Sequence, residues 1–340
     1  MKFNPNFKYV ELHNHLDGSI KAETIHKICQ RKCLDMPHSN VESLKDFLKL
    51  KEPKSLREFL LKFDTVLPIV QGDTEAIAEV CHEFVKMAAE SEVCYVETRF
   101  YPQSLASPGL SSDAVVRTVL DALRIADETF GVVTKVILCS LRQLELVDPN
   151  CLDLAIKYKP HGVVGIDLAG DELHSMECNG THKGIIELFN RAKREGIHRT
   201  IHAGENGPVR MIEEAVNELH AERIGHGYSI LKNDALYQEL RSKNIHFEIC
   251  PTSSFLTGSV STDPNCHPFH TFCKDKVNYS INCDDIMITG RNLKEEHKFC
   301  KEKFNISSEE IKRITFNAAR SSFLEPQEKS YLLHHLQTVF

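Results

Sequence analysis

Eight short, β-rich apolar runs recur along this chain, separated by longer stretches with helical spacing. The runs are KYVELH near residues 8–13, VCYVETRF at 93–100, KVILCSL at 135–141, HGVVGIDLAG at 161–170, RTIHAGE at 199–205, RIGHG at 223–227, IHFEICP at 245–251 and VNYSINCDD at 277–285. Each is bounded by polar or turn residues and reads as a buried strand. Between them, DTEAIAEVCHEFVKMAAE (73–90), SDAVVRTVLDALRIADETF (112–130) and KGIIELFNRAKREG (183–196) repeat apolar residues with a helical period. Nearly continuous apolar strands alternating with helices predict a parallel sheet covered on its faces. Eight such units predict an α/β fold closed as a (β/α)8 barrel of the TIM type rather than an open sheet.

The first interval between strands is unusually long. Residues 20–90 read as a helical insertion of two or three helices, including a pair around SLREFLLKFD (55–64), and predict a cap over the C-terminal mouth of the barrel. Residues 292–338 supply about three more helices. No linker or composition shift divides the chain, so residues 1–340 read as one domain.

Apolar residues make up 41% of the sequence and charged ones 26%, the mixture of an ordinary globular protein. The N-terminus lacks a continuous apolar segment and no later run approaches the length of a bilayer span, so the expectation is a cytoplasmic protein without membrane insertion. The twelve cysteines stand singly with no C-x-x-C spacing, which reads as reduced core thiols. A net charge of −7 argues against nucleic acid or an anionic membrane as the main partner.

Active sites of such barrels form where strand C-termini meet the following loops. There the chain places His13, His15 and Asp17 on strand one, Asp167 and Gly170 on strand four, and His202 and Glu205 on strand five. His226 ends strand six, and Asp284 and Asp285 end strand eight. Strand alternation puts His13 and His15 on one side, so both imidazoles can point at one spot. His202 and an aspartate of the eighth strand, which neighbours the first in a closed barrel, complete a His₃Asp set suited to zinc with room for a water. A bound metal lowers the pKa of water to about 7, which predicts a hydrolase. An H-x-H pair among 18 histidines means little by itself; the convergence of several groups at strand ends carries the reading.

Competing motifs fail on inspection. His82-Glu83 opens like H-E-x-x-H, but Lys86 stands where the second His belongs. His246-Phe247-Glu248 imitates the H-x-E of small zinc deaminases without their P-C-x-x-C partner. Neither a G-x-S-x-G nor a P-loop is present.

Taken in order from about residue 8 to the SSFL at 321–324, VELHNHLDGSI, DLAGDE, HRTIHAGE, ERIGHGY, HFEICPTSSFLTG and YSINCDD resemble the adenosine deaminase family of the animal type. The resemblance implies one zinc ion held by His13, His15, His202 and Asp284, with His15 also facing the substrate. It implies deamination of adenosine and 2′-deoxyadenosine to the inosines in purine salvage. Glu205 would donate a proton to purine N1, His226 would orient or deprotonate the hydrolytic water, and Asp285 would hydrogen-bond N7 in protonated form. Gly170 would offer its N–H to N3, and Asp17 would bind the ribose 5′-hydroxyl. The partner implied is a small purine nucleoside.

Attack at C6 breaks ring aromaticity and pushes charge onto N1, so an acid donating there stabilises the transition state more than the ground state. Guanine carries a hydrogen on N1 and cannot accept it. Asp17 disfavours AMP: two like charges ~4 Å apart at an effective dielectric of about 20 repel by about 4 kcal/mol, roughly a thousandfold in affinity. Leu56, Phe59, Leu60 and Phe63 fall at helical spacing, which alone reads as a core-facing stripe. The resemblance implies instead a lid that covers the ribose and excludes water.

The chain departs from the family pattern after strand two. YPQSLASPGLSSDAV is shorter than the usual acidic, Trp-containing loop, Tyr101 stands where a small residue is typical, and the chain has no Trp. CPTSSF and DDIMITG replace the commoner CPWSSY and DDPLIF. These changes leave every proposed ligand in place and fall on the outer pocket. Rival readings are deamination of N6-methyl-AMP or of adenine, and a nucleoside-binding protein without catalysis, against which Glu205 and His226 argue.

Overall fold

The computed structural model describes residues 3–142, 148, 150–177 and 180–340. Its strands are β1 (Tyr9–His15), β2 (Val93–Phe100), β3 (Val133–Leu141), β4 (Val163–Ala169), β5 (His198–Ala203), β6 (Arg223–His226), β7 (His246–Ile249) and β8 (Tyr279–Ile281). They form one sheet in chain order, every neighbouring pair parallel, with helices between them: the (β/α)8 barrel expected from the cadence. β2, β6 and β7 are buried at every position, which is why they read as unbroken apolar runs punctuated by a few charges.

β8 is shorter than the run at 277–285 suggested: Asn282 N–H still donates to the Ile249 carbonyl of β7 (2.9 Å), but toward β1 side chains make the pairing at Asn282 and Cys283. Leu12 N–H donates to Asn282 Oδ1 (2.9 Å) and Cys283 N–H donates to Glu11 Oε1 (2.9 Å). Backbone pairing then resumes, with Asp284 N–H donating to the His13 carbonyl (3.1 Å) and His15 N–H to the Asp284 carbonyl (3.0 Å). The seam that closes the barrel thus threads Asp284 between His13 and His15.

The insertion after β1 holds five helices, where the sequence suggested two or three: α1 (Ala22–Lys32), α2 (Val41–Leu48), α3 (Leu56–Leu60), α4 (Phe63–Val70) and α5 (Thr74–Glu90). Three of them run only five to eight residues, too short for periodicity to reveal. Their starts are set by local chemistry. Asn40 with Ser43, and Ser55 with Glu58, form capping boxes, and the Asp73 carboxylate accepts from the Glu75 and Ala76 amides. The chain breaks between α3 and α4 at Leu61 and Lys62. Leu56 and Phe59 turn inward while Leu61 stays 57% exposed.

After β8, the helices Leu293–Phe304, Ser308–Ser321 and Pro326–Val339 match the three expected. Between the last two, Phe323 plugs the amino-terminal end of the barrel, stacked on His198 at the start of β5, with the Arg223 guanidinium 3.7 Å over its ring. No helix among the described residues is long and apolar enough to cross a membrane. The described cysteines are all free.

Candidate active site

At the carboxyl ends of the strands four potential ligands converge. His15 Nε2 lies 3.2 Å from His202 Nε2, and Asp284 Oδ1 lies 3.3 Å from His13 Nε2 and 3.4 Å from His15 Nε2. Donor atoms about 2.0–2.1 Å from a tetrahedral zinc sit roughly 3.3 Å apart, so these spacings are edges of such a tetrahedron. The buried His13 Nε2 has no hydrogen-bond partner, as expected of a ligand nitrogen. The tautomers are set from behind: His13 Nδ1 donates to Glu248 Oε2 (2.8 Å) and His202 Nδ1 to Asp167 (2.9 Å). Burial pushes the His15 imidazole well below its ordinary range, keeping it neutral. Burial opposes the ionisation of Asp284, but the surrounding imidazoles hold it well below the usual carboxylate range. The set fits a divalent ion of the zinc type. A second grouping, His226 with Cys250 and Asp284, fits less well, because burial pushes the Cys250 thiol far up and leaves it protonated.

Around this set stand the remaining titratable groups. His226 Nε2 is 3.7 Å from Glu205 Oε2 and 3.8 Å from Asp284 Oδ2. Burial lowers the His226 imidazole well below its usual range, so it is neutral and able to accept a proton. Burial, then the charges of Asp284 and Glu172, push Glu205 well up into its acid form. Asp285 rises for the same first two reasons, burial and Asp284. His226 and Asp284 both hold a left-handed backbone, φ +62° and +63°, unusual for residues with a Cβ and typical of functional positions. Buried polar atoms without a partner cluster here too: Asp17 Oδ1, Glu205 Oε1, His226 Nδ1 and Asp285 Oδ1.

These groups open into a cavity of about 410 Å³, within the usual size of small-molecule sites. His15, Asp17, Leu56, Phe59, Leu60, Phe63, Gly170, Glu205, His226, Asp284 and Asp285 all line it, so the structure brings together the residues singled out in the sequence. The stripe on α3 and α4 faces this cavity as well as the core. Arg57 on α3 pairs with Asp171 after β4 (3.1 Å), joining the insertion to the barrel. Gly18 lets Asp285 approach: a Cβ there would stand 1.7 Å from Asp285 Oδ1. The repulsion of AMP by Asp17 is weaker than its sequence position suggested. Burial pushes the Asp17 carboxyl up to about 7, so its repulsion of a 5′-phosphate at neutral pH is weaker than between two fixed charges.

The sequence reading missed the layer beneath. Glu248, set aside as a false H-x-E match, accepts from His13, Arg99 (2.8 Å), Arg223 (2.6 Å) and Thr200 (2.8 Å). Arg99 also donates to Asp167 (3.0 Å), and Arg223 to Glu97 (2.6 Å). The available signal was the presence of charges inside strands that are otherwise apolar. Tyr101, noted in the sequence as a departure from the family pattern, lines the cavity; Cys139, Leu141 and His174 line it without a sequence signal of their own.

Eight parallel strands with three imidazoles, an ionised aspartate, an acid-form glutamate and a neutral histidine at their carboxyl ends define a barrel hydrolase. The family model described as adenosine deaminase matches residues 9–339, and the chain belongs to the adenosine deaminase family. Adenosine deaminase of Xenopus tropicalis is 42% identical over 343 residues, covering 97% of this chain and 95% of that protein. The Mus musculus adenosine deaminase is 40% identical, covering 96% of each. That of Enterococcus faecalis is 33% identical, covering 95% and 94%. Among solved structures, adenine deaminase from Arthrobacter aurescens superposes with a TM-score of 0.84 at 26% identity, covering 97% of this chain and 98% of that one. The Arabidopsis N6-mAMP deaminase shares the fold, with a TM-score of 0.81 at 24% identity, covering 98% of each chain.

Proposed function

We propose that this protein hydrolyses adenosine and 2′-deoxyadenosine to inosine and 2′-deoxyinosine with release of ammonia, as one catalytic domain acting in purine salvage in the cytoplasm. The observation that carries the proposal is the pairing of an acid-form Glu205 with a neutral His226, 3.7 Å apart beside the ligand cluster. One zinc ion held by His13, His15, His202 and Asp284 would supply a water acidified to a pKa of about 7.

The chain's own groups then do the following. Glu205 donates its proton to purine N1 as attack at C6 pushes electrons there, a contact that strengthens in the transition state. His226 orients the attacking water and takes its proton, which is returned to the amino group as the C6–N bond breaks and ammonia leaves, while the C6 hydroxyl gives up its proton to form the carbonyl and Glu205 regains its acid form. Asp285, kept protonated by burial and by Asp284, donates to N7, and the Gly170 N–H donates to N3. Asp17 accepts the 5′-hydroxyl. Leu56, Phe59 and Phe63 cover the sugar and exclude water. They make no polar demand on the 2′-position, which accommodates the deoxynucleoside. Nothing in this scheme uses nucleic acid, a membrane or a protein partner.

The test is the loss of adenosine absorbance with purified protein before and after chelation, beside 2′-deoxyadenosine, N6-methyl-AMP and adenine. Adenosine and its deoxy form should turn over fastest and chelation should abolish the rate. Faster turnover of N6-methyl-AMP or adenine would overturn the substrate assignment, and full activity after complete metal removal would overturn the metal's role.

A further inference from the structure

Glu172 opens a short helix after β4 and is wholly buried. Its carboxylate accepts four consecutive backbone amides from the turn after β5. Gly204 N–H donates to Oε1 (2.6 Å), and Glu205, Asn206 and Gly207 N–H all donate to Oε2 (2.8, 3.0 and 3.0 Å). Residues 204–207 belong to neither β5 nor the helix Val209–Asn217 that follows, so no ladder supplies these donors with acceptors. Bonds from amides to an ionised acceptor are shorter and about twice as strong as neutral ones. Nearby, the buried Arg142 donates to the His202 carbonyl (2.6 Å); burial lowers the pKa of its guanidinium, and the Glu172 charge works against that shift. Glu172 is absent from the cavity wall, although its neighbour Asp171 and its client Glu205 are part of it. The turn is shaped to the carboxylate: a Cβ on Gly207 would lie 2.9 Å from Glu172 Oε1.

We infer that Glu172 is a positioning residue for the proton transfer, its carboxylate fixing the Gly204–Gly207 turn in the conformation that aims Glu205 into the cavity. The inference rests on Glu205 being the proton donor of the proposed reaction. A glutamine at 172 keeps the shape but has one acceptor oxygen, and its amide N–H₂ must face amides that also donate. At least one amide then loses its acceptor and the turn relaxes.

The experiment uses zinc-loaded enzyme and four variants: Glu172→Gln, Gly207→Ala, which presses on the carboxylate from the other side, Glu205→Gln, and the double variant Glu172→Gln/Glu205→Gln. Glu205→Gln should lose about 10²–10⁴ in kcat, the usual contribution of a positioned acid. A displacement of about 1 Å in a catalytic group costs about 10²-fold, so Glu172→Gln and Gly207→Ala should each lose about a hundredfold in kcat, with KM within about threefold and zinc content unchanged. Because Glu172 acts through Glu205, the double variant should be no more than about threefold slower than Glu205→Gln alone. A further hundredfold loss in the double variant would mark a merely structural role and overturn the inference. So would normal kcat in Gly207→Ala, which serves alone if Glu172→Gln does not fold, provided Glu205→Gln is impaired. Full turnover by Glu205→Gln would instead overturn the proton-donor assignment, and this inference with it.

Discussion

Replacing Glu248 by glutamine separates what the buried charges do for the fold from what they do for the ligand set. In the native protein Oε2 accepts from His13 Nδ1 and Arg99 Nη2, both at 2.8 Å, and Oε1 from Arg223 Nε (2.6 Å) and Thr200 Oγ1 (2.8 Å). Whichever way a glutamine is turned, its N–H₂ meets one of these donor pairs. Removing one partner of a buried ion pair costs about 3–5 kcal/mol. Here the lower end applies, because Arg99 keeps Asp167 and Arg223 keeps Glu97. About 3 kcal/mol leaves a protein of ordinary stability, about 5–15 kcal/mol, folded. The metal effect is separate: freeing the far nitrogen of a liganding imidazole weakens metal binding by about 10–100-fold. Urea unfolding of the metal-free protein reads the first effect, and competition with a chromogenic chelator reads the second. Thr200→Val is the control. It loses one hydrogen bond to the same carboxylate, worth about 1.5–3 kcal/mol, and leaves His13 untouched, so zinc affinity should hold. A Glu248→Gln protein that unfolds more easily yet binds zinc within twofold of the native protein would refute the reasoning, since His13 would then need no support from behind.

Asp284→Ala should lose most of its zinc by elemental analysis, whereas Glu205→Gln should keep its zinc and lose turnover; equal metal loss in both would contradict the division of roles. Gly18→Ala, whose Cβ would collide with Asp285 Oδ1 at 1.7 Å, should lose about a hundredfold in kcat with zinc retained, measured by steady-state kinetics on metal-normalised enzyme. His267 should make stability depend on acid. Its Nδ1 accepts from the Phe269 amide and its Nε2–H donates to Ser254 Oγ, both at 3.0 Å, and burial pushes its imidazolium down to about 3. Between about pH 3 and 6.5 the unfolded chain therefore binds the extra proton, so this contribution is full above about 6.5 and falls as the pH falls through that window. In urea titrations at pH 7, 6 and 5, His267→Gln should lessen the loss of stability by up to about 1.4 kcal/mol per pH unit; an unchanged slope would count against it.

The barrel was legible because its strands are buried and parallel, and such strands stand out as short apolar blocks at regular intervals. The candidate site was legible for a related reason: His13, His15, His202, His226 and the Asp284–Asp285 pair break the apolar pattern just where each strand ends. The insertion over the mouth was less so. α2, α3 and α4 are a turn or two long, too short for a clear repeat; α2 and α3 start at caps on Asn40 and Ser55, and α4 starts at Lys62 without a side-chain cap. The buried layer of Glu97, Arg99, Arg223 and Glu248 was hidden for a different reason. A charge inside a strand announces only that it needs a partner, and the partners come from strands far apart in the chain. Glu172 was within the quoted DLAGDE motif, but its four donors lie on another strand's loop and leave no trace in its own neighbourhood.

The seam between β8 and β1 has a consequence for the timing of activity during synthesis. Its two sides meet across 270 residues of chain, as between Leu12 and Asn282, and the ligand candidates His13, His15 and Asp284 sit astride it. A ribosome-bound chain that has not yet released residues 279–285 lacks β8 and Asp284, and with them the carboxylate that completes the candidate ligand set of His13, His15 and His202. Catalysis would therefore begin only when the last strand docks, and a truncated chain would be silent rather than slow.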